Sequence, residues 1–204
     1  MCPAYGAGGG TALLDEGIKQ PALALLVAPL AAAAPSAGRP VTIGYLGNAS
    51  PALEAHLVNA FREGLRQLGY VEGAHLIIRY VWAEGQQERH ADLARELVRL
   101  QPDLIFTAGT PGTLAATHAT PSIPIVTAIA GDPVAAGLVA SLATPGGNVT
   151  GLSTLALELE GKRLELLKQA VPTLSRVVAL RNPANPFTMI AWQAMQPAAA
   201  ALGV

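Results

Sequence analysis

Residues 103 to 114, DLIFTAGTPGTL, combine an apolar run with small hydroxyl-bearing residues and what reads as the start of a helix. A strand that leads into a helix N-terminus presents free backbone N–H groups, and these bind anions. Thr107, Gly109 and Thr110 therefore predict an anion site, provided that Thr110 caps the helix. The stretch has neither a GxxxxGK phosphate loop nor a lysine or arginine, which favours one carboxylate over a phosphate. Ordinary helix capping explains the same residues and stays open as the alternative.

Further candidate ligand residues follow the other predicted strands. Asn48 and Ser50 come after the first strand, and Asp132 comes after the fourth. Ligands of open parallel sheets bind beyond the carboxyl ends of the strands, so these residues share one edge with the threonine turn. Asp132 precedes a proline and is either a helix N-cap or a carboxylate that receives an ammonium group. Asn182 also precedes a proline and is either a turn former or a clamp from a second lobe.

The sequence offers no arrangement of residues for catalysis. It contains no GxSxG turn, a single cysteine at position 2, and four histidines that lie 15 or more residues apart. No nucleophile can therefore be paired with a base, and no two imidazoles share one helix face for a metal. We expect a protein that is not an enzyme and that holds no metal or cofactor.

The elements that must position these residues alternate along the chain from residue 39 onward. Apolar runs predict strands at residues 41–46, 75–81, 103–109 and 123–129. Helical periodicity predicts helices at residues 51–68, 87–101, 110–119 and 132–142. Single helices between strands that are apolar throughout are typical of βαβ units, so the predicted fold class is α/β with an open, doubly wound parallel sheet. The first helix is expected to bury one row of apolar residues: Leu53, Leu57, Phe61, Leu65 and Leu68.

A second, shorter region follows. The stretch PGGNVTG predicts a flexible crossing between two lobes at residues 145 to 152. Beyond it we expect a helix at residues 157–172, a strand at 176–183 and a helix at 186–202. One strand cannot close a sheet, so the second lobe is expected to be incomplete and the chain truncated. The predicted division is a leader at residues 1–38, a first α/β lobe at 39–147, and a hinge crossover with a partial second α/β lobe at 148–204.

The first 38 residues and the overall composition indicate where the protein is located and which classes of partner it binds. Residues 19–38, KQPALALLVAPLAAAAPSAG, look like a secretory signal peptide with a small-residue cleavage site, and the apolar part is too short for a stable spanning helix. A disordered leader without a targeting role is the alternative. The whole chain is 51% hydrophobic and 13% charged, with a formal net charge of -1. That composition predicts a globular protein without the basic stripe that binds nucleic acid.

Several stretches, taken in order, resemble one known family. They are FREGLRQLGYVEGAHLIIRY, DLIFTAGTPGTLAA, IPIVTAIAGDPVAAGLVASLATPGGNVTGL, KRLELLKQAVP and RVVALRNP. Over about residues 40–204 they are similar to the substrate-binding proteins of ABC transporters, specifically those of the tryptophan- and tyrosine-binding type. The resemblance implies two α/β lobes like those of type I periplasmic binding proteins, with the ligand enclosed between them. It also implies secretion to the periplasm and a membrane permease with its ATPase as partner.

The resemblance extends to the crevice. Carried over position by position, the ligand site would use Asn48 and Ser50, the turn from Thr107 to Thr110, the loop of Asp132, and Asn182 from the other lobe. In this arrangement the threonine turn holds a carboxylate and Asp132 holds an ammonium group. The expected function is capture of an amino acid or related carboxylate for import, without chemistry. A ligand-sensing domain of the same fold, coupled to a signalling partner, is the alternative.

Two positions depart from the family pattern. Gly131 stands where a hydroxyl-bearing residue is often found, and Arg181 stands where an aromatic residue is common beside Asn-Pro.

Overall fold

Among the residues that the structure describes, five strands pair in parallel and form one sheet, in the spatial order 2-1-3-4-5. They are β1 (Val41–Gly47), β2 (Leu76–Trp82), β3 (Leu104–Thr107), β4 (Ile125–Ala130) and β5 (Val149–Ser153). The structure is a computed structural model that describes residues 39–154 and 157–204, so the predicted leader at residues 1–38 lies outside the described residues. Because all five strands run the same way, their carboxyl ends meet at one edge of the sheet.

In residues 39–154 and 157–204, five helices connect and follow the strands. They are α1 (Pro51–Gln67), α2 (His90–Arg99), α3 (Gly109–Ala119), α4 (Glu160–Ala170) and α5 (Pro186–Leu202). Two short 3-10 turns, Gln87–Arg89 and Leu157–Leu159, lead into α2 and α4. In the part of the chain that the structure describes, no helix is both long enough and apolar enough to span a bilayer.

Apolar cores form on both faces of the sheet. On one face Phe61 of α1 packs against Tyr45 of β1, with ring centroids 5.8 Å apart. On the opposite face Leu97 of α2 packs in one cluster with Ile105 of β3. Burial on both sides accounts for strands that are apolar almost throughout. The predicted α/β class with a doubly wound parallel sheet is confirmed.

The buried face of α1 differs from the predicted one. Three of the five leucine and phenylalanine residues expected inside are more than half exposed: Leu53, Leu57 and Leu68. The side of the helix toward the sheet instead carries Glu54, Val58, Phe61 and Leu65. This orientation places the Glu54 carboxylate against the loop between β1 and α1, where it accepts backbone N–H groups.

The prediction of a helix at residues 132–142 is wrong. One turn forms, in which the N–H of Ala136 donates to the carbonyl of Asp132 and the N–H of Leu138 donates to the carbonyl of Pro133. Gly137 then adopts a φ of +71°, a left-handed conformation that ends a helix. The segment from Asp132 to Leu138 is therefore a short turn beside the sheet edge.

The strand predicted at residues 176–183 is also absent. Residues 175–182 carry no regular secondary structure, and Val178 is 95% exposed. No strand among the described residues runs beside this segment, so its backbone N–H and C=O groups have no ladder to join. High β-propensity alone does not make a strand when the partner strand is missing.

The crossing predicted at residues 145 to 152 contains β5. Val149 pairs with Ile125 and Thr150 with Val126, so the sheet continues past residue 147. The Asn148 side chain fixes the approach to β5, because its amide donates to the carbonyls of Thr120 and Ile123 at 3.0 and 2.8 Å. The division of the chain at residue 147 and the hinge function of the crossing stay predictions.

An ion pair at the start of β1 gives a pH-dependent prediction. The Asp103 carboxylate accepts the N–H of Thr42 at 2.8 Å and pairs with Arg39. The Thr42 hydrogen bond and then the Arg39 guanidinium hold the pKa of Asp103 below its ordinary value. A lowered folded-state pKa stabilises the fold above the unfolded-state value, and this stabilisation is lost as the pH falls below about 4.

Asp103→Asn is therefore expected to lower the free energy of unfolding by about 1 kcal/mol at pH 7, because the isosteric amide keeps the shape but not the charge. Thermal unfolding at pH 7 and under acid conditions measures the difference, which should shrink as Asp103 itself becomes protonated. A difference that stays constant across that range would contradict the assignment.

Candidate functional site

The carboxyl ends of β1, β3 and β4 bring three of the predicted ligand loops together. The side-chain amide of Asn48 donates to the carbonyl of Ala108 at 2.8 Å, which joins the loops after β1 and β3. The N–H of Gly131 donates to Oγ1 of Thr110 at 3.2 Å, which joins the loops after β3 and β4. The predicted neighbourhood of these loops is thus present at one edge of the sheet.

Asn48 is held by contacts within the protein. Its Oδ1 lies 2.9 Å from Nε2 of His90, a buried residue at the start of α2 whose Nδ1 lies 2.9 Å from the carbonyl oxygen of Gln87. Asn48 thereby ties β1, the β3 loop and α2 to one another. Sequence reasoning missed His90, although its spacing to Ala94 and Leu97 puts it on the buried face of α2.

Glu54 is the second residue that sequence reasoning missed. The residue is only 8% exposed, and Oε1 accepts the backbone N–H groups of Asn48 and Ala49 at 2.8 and 2.6 Å. Burial, followed by the neighbouring Glu54 carboxylate, raises the pKa of Tyr45, whose hydroxyl lies 3.3 Å from Oε2 of Glu54. The sequence indication of this role is the helical spacing of positions 54, 58, 61 and 65, which places a carboxylate on the apolar face of α1.

The threonine turn is built differently from the prediction. Thr107 is fully buried, and its hydroxyl donates to the carbonyl of Leu46 at 3.0 Å. The N-cap of α3 is Ala108, so the condition that Thr110 caps the helix is not met. Thr110 lies in the first turn of α3, and its hydroxyl oxygen accepts the N–H of Gly131. Both hydroxyls therefore hold the edge together in this structure.

The helix start still offers donors. Gly109 has a φ of +79°, a conformation that suits glycine and starts α3 directly after β3. Within the described ranges, neither the N–H of Gly109 nor that of Thr110 has a hydrogen-bond partner. Two N–H groups at the positive end of an 11-residue helix can bind one carboxylate.

The side chains of Ser50 and Asp132 both accept backbone N–H groups of the residues that follow them. Ser50 is the N-cap of α1, and its Oγ accepts the N–H of Leu53 at 3.4 Å. Oδ1 of Asp132 accepts the N–H groups of Val134 and Ala135 at 3.0 and 2.9 Å. Among the described residues Oδ2 of Asp132 has no hydrogen-bond partner, which leaves one carboxylate oxygen for a ligand.

Asn182 forms local bonds. Its Oδ1 accepts the N–H of Ala184 at 3.0 Å, and its carbonyl accepts the N–H of Asn185 at 3.1 Å. The turn-forming role proposed for Asn182 is therefore present, and these bonds do not join it to the loops at the sheet edge. The ligand roles of Asn48, Ser50, Thr107, Gly109, Thr110, Asp132 and Asn182 all stay predictions.

Phe187, in the first turn of α5, is the third residue that the sequence did not single out. Its ring lies against Gly131, where a β-carbon would come within 2.1 Å of the ring. This contact brings α5 to the loop that carries Asp132. No group of three or more histidine, cysteine, aspartate or glutamate side chains in the described residues could hold a metal ion.

Comparisons with known proteins agree with this architecture. The profile of a family described as ABC transporter substrate binding protein matches residues 49–203. A curated relative, the tyrosine-binding protein of Clostridioides difficile, is 37% identical over 122 residues, which are 60% of this chain and 35% of that protein.

Two solved structures extend the comparison. A conserved domain protein from Vibrio cholerae superposes with a TM-score of 0.72 at 32% identity, over 81% of this chain and 55% of that one. The ABC domain from Streptococcus pneumoniae, in complex with L-Trp, gives a TM-score of 0.69 at 28% identity over the same shares of the two chains. The chain thus spans 35% of the curated relative and 55% of each of these structures.

Proposed function

Because the chain belongs to the ABC transporter substrate binding protein family, a family of solute-binding proteins rather than enzymes, we propose that it captures an amino acid or a related carboxylate for import. The solute would bind at the sheet edge, outside the cytoplasmic membrane, and the loaded protein would deliver it to a permease driven by an ATPase. The protein holds the solute by hydrogen bonds and charge, and no covalent step is involved.

One observation carries the proposal. The N–H groups of Gly109 and Thr110 and the carboxylate oxygen Oδ2 of Asp132 lie on loops joined by the hydrogen bond between Gly131 and Thr110. Donors at a helix start complement a carboxylate, and a carboxylate complements an ammonium group. The two complementary groups belong to one class of small molecule, the α-amino acids.

The names of the relatives support the same class. One relative is a tyrosine-binding protein, and one solved structure contains L-Trp. Aromatic amino acids are therefore the first ligands to test. Delivery to a permease is the wider role that the family description supports.

Calorimetric titration of the full-length protein with the standard amino acids tests the ligand class. We expect heat of binding from at least one amino acid, with aromatic ones first. An absence of heat from every amino acid would remove the assignment.

Asp132→Asn tests the ammonium role. The amide oxygen of asparagine can still accept the N–H groups of Val134 and Ala135, so the turn is kept while the charge is lost. We expect affinity for the bound amino acid to fall about 30-fold, since the ammonium loses a partially buried charge partner. The matched ligand is the same molecule without its amino group, whose affinity should be equal for wild type and variant. Equal affinity of both proteins for the amino acid itself would show that Asp132 does not bind the ammonium group.

A further inference from the structure

His90 contacts two oxygen atoms that can only accept a hydrogen bond. Its Nδ1 lies 2.9 Å from the carbonyl oxygen of Gln87, and its Nε2 lies 2.9 Å from Oδ1 of Asn48. A neutral imidazole carries one N–H group and one lone pair, so it can donate to only one of these oxygens. In the other contact a lone pair would face an oxygen inside the protein, since His90 is only 4% exposed. The contacts therefore favour the imidazolium form, in which both nitrogens donate.

Turning the amide of Asn48 does not remove this requirement. Its Nδ2 donates to the carbonyl of Ala108 at 2.8 Å, and a turned amide would place Oδ1 against that carbonyl instead. The helix α3 packs directly on the pair at Gly112, where a β-carbon would lie 3.5 Å from Cδ2 of His90 and 3.6 Å from Oδ1 of Asn48. The hydrogen bonds of Asn48 and His90 form together only when the ring carries two protons.

The charged group that the hydrogen bonds connect to His90 is a buried carboxylate. Glu54 of α1 accepts the backbone N–H of Asn48, so a single residue links its carboxylate to the imidazole ring of His90. The titratable or charged groups of the neighbouring 3-10 turn and of α3 lie wholly or partly in solvent: Arg89 with its ion-pair partner Glu84, and His118 at the far end of α3. Opposite charges that are linked in this way lower the cost of burying each other.

The same chain of hydrogen bonds ends at the helix start proposed to hold a carboxylate. Asn48 donates to the carbonyl of the peptide bond between Ala108 and Gly109, and the N–H of that same peptide bond is one of the two donors at the start of α3. Hydrogen bonds in series polarise one another, so a second proton on His90 makes the N–H of Gly109 a stronger donor. Residues 103–114 contain no lysine or arginine, and His90 is the cation that the hydrogen bonds connect to them.

We propose that His90 is a positioning residue of the carboxylate site, which acts through Asn48, and that solute binding is coupled to protonation of His90. The inference rests on the proposed function and adds its dependence on pH. A carboxylate at the N–H of Gly109 favours the imidazolium, and by reciprocity the imidazolium favours the bound carboxylate. Histidine changes its charge between about pH 5 and 8, so affinity rises as the pH falls through this range and binding takes up protons.

The test measures Kd for tyrosine, or for the standard amino acid that binds most tightly, by calorimetry on the full-length protein. For the wild type, Kd is expected to rise about fivefold between about pH 5.5 and 7.5. His90→Gln can still donate from its amide to Asn48 but carries no charge, so its Kd should be nearly constant over this range. His118→Gln is the matched control in solvent and should keep the wild-type pH profile. Titration of the solute itself is common to all three proteins.

Two measurements on the wild-type protein do not depend on whether a variant folds. Calorimetry in two buffers that differ in ionisation enthalpy counts the protons exchanged on binding, and we expect net uptake near neutral pH. Nitrogen NMR of the protein without solute, at about pH 6, should show the His90 ring with both nitrogens protonated.

The outcomes separate this inference from the proposed function. Wild-type Kd values that do not change with pH, or a wild-type pH profile in His90→Gln, would overturn the coupling. A neutral His90 ring under mildly acidic conditions would remove this inference alone. If the wild-type protein binds no amino acid, the proposed function fails and the coupling fails with it.

Discussion

Replacing Glu54 with alanine is expected to lower the free energy of unfolding by about 3 kcal/mol, because it removes one buried acceptor from several donors at once. The Glu54 carboxylate accepts the N–H groups of Asn48 and Ala49 and lies 3.3 Å from the Tyr45 hydroxyl. Alanine replaces none of these bonds, and donors that stay shielded from water lose a partner without regaining hydration. Urea denaturation at pH 7, followed by circular dichroism, measures the loss.

Glu54→Gln is the matched variant. The glutamine amide oxygen can accept both backbone N–H groups, and its NH2 group can donate to the Tyr45 oxygen, so most of the stability should be retained. Glu63→Gln is the control on the exposed side of the same helix, where the carboxylate pairs with Arg66 in solvent. We expect almost no change in the urea midpoint for that variant. Similar losses in Glu54→Ala and Glu63→Gln would show that the buried bonds do not contribute as argued.

Gly151→Ala is expected to have an effect of similar size, about 3 kcal/mol, because position 151 combines an unfavourable backbone conformation with a backbone clash. Gly151 has a φ of +145°, and a β-carbon there would lie 2.0 Å from the carbonyl oxygen of Thr127 on β4. The oxygen cannot move away without breaking the pairing of β4 with β5. Urea denaturation gives the overall loss, and amide hydrogen exchange should show β5 as the first strand to lose protection.

Gly147→Ala is the control for that prediction. It lies two residues before β5, and a β-carbon on it meets no atom within 4 Å. Substitution at an open position with ordinary backbone angles should be neutral or slightly stabilising, since alanine restricts the unfolded chain. If Gly151→Ala were as stable as Gly147→Ala, the pairing at the end of β4 would have to differ from the one described.

Local sequence patterns predicted most of the sheet. The apolar runs that became β1 and β2 are bounded by turn residues, and α1 has its serine cap and proline start in the order expected. These features depend on neighbours in the chain. A strand at residues 176–183 would need a second strand beside it, and the local sequence pattern cannot predict whether that partner is present.

The candidate site was predictable to the level of loops but not of atoms. The rule that ligands bind beyond the carboxyl ends of parallel strands predicted which loops meet at one edge of the sheet. The rule could not predict that the Thr107 hydroxyl donates to the Leu46 carbonyl or that the Thr110 hydroxyl accepts the N–H of Gly131. Each of these hydrogen bonds joins residues that are far apart in sequence. Phe187 was missed for the same reason, since its partner Gly131 precedes it by more than fifty positions.

The aromatic residues around Tyr45 have a spectroscopic consequence. Trp82 lies beside Tyr45, with centroids 5.4 Å apart, and its ring borders Gly47 at the end of β1. The sequence contains one other tryptophan, Trp192, whose ring lies 5.9 Å from the guanidinium of Arg181. A Trp192→Phe protein would therefore emit from a single indole next to the loop that Glu54 holds. Its fluorescence would report on this side of the crevice without an attached dye, for any solute that carries no indole of its own.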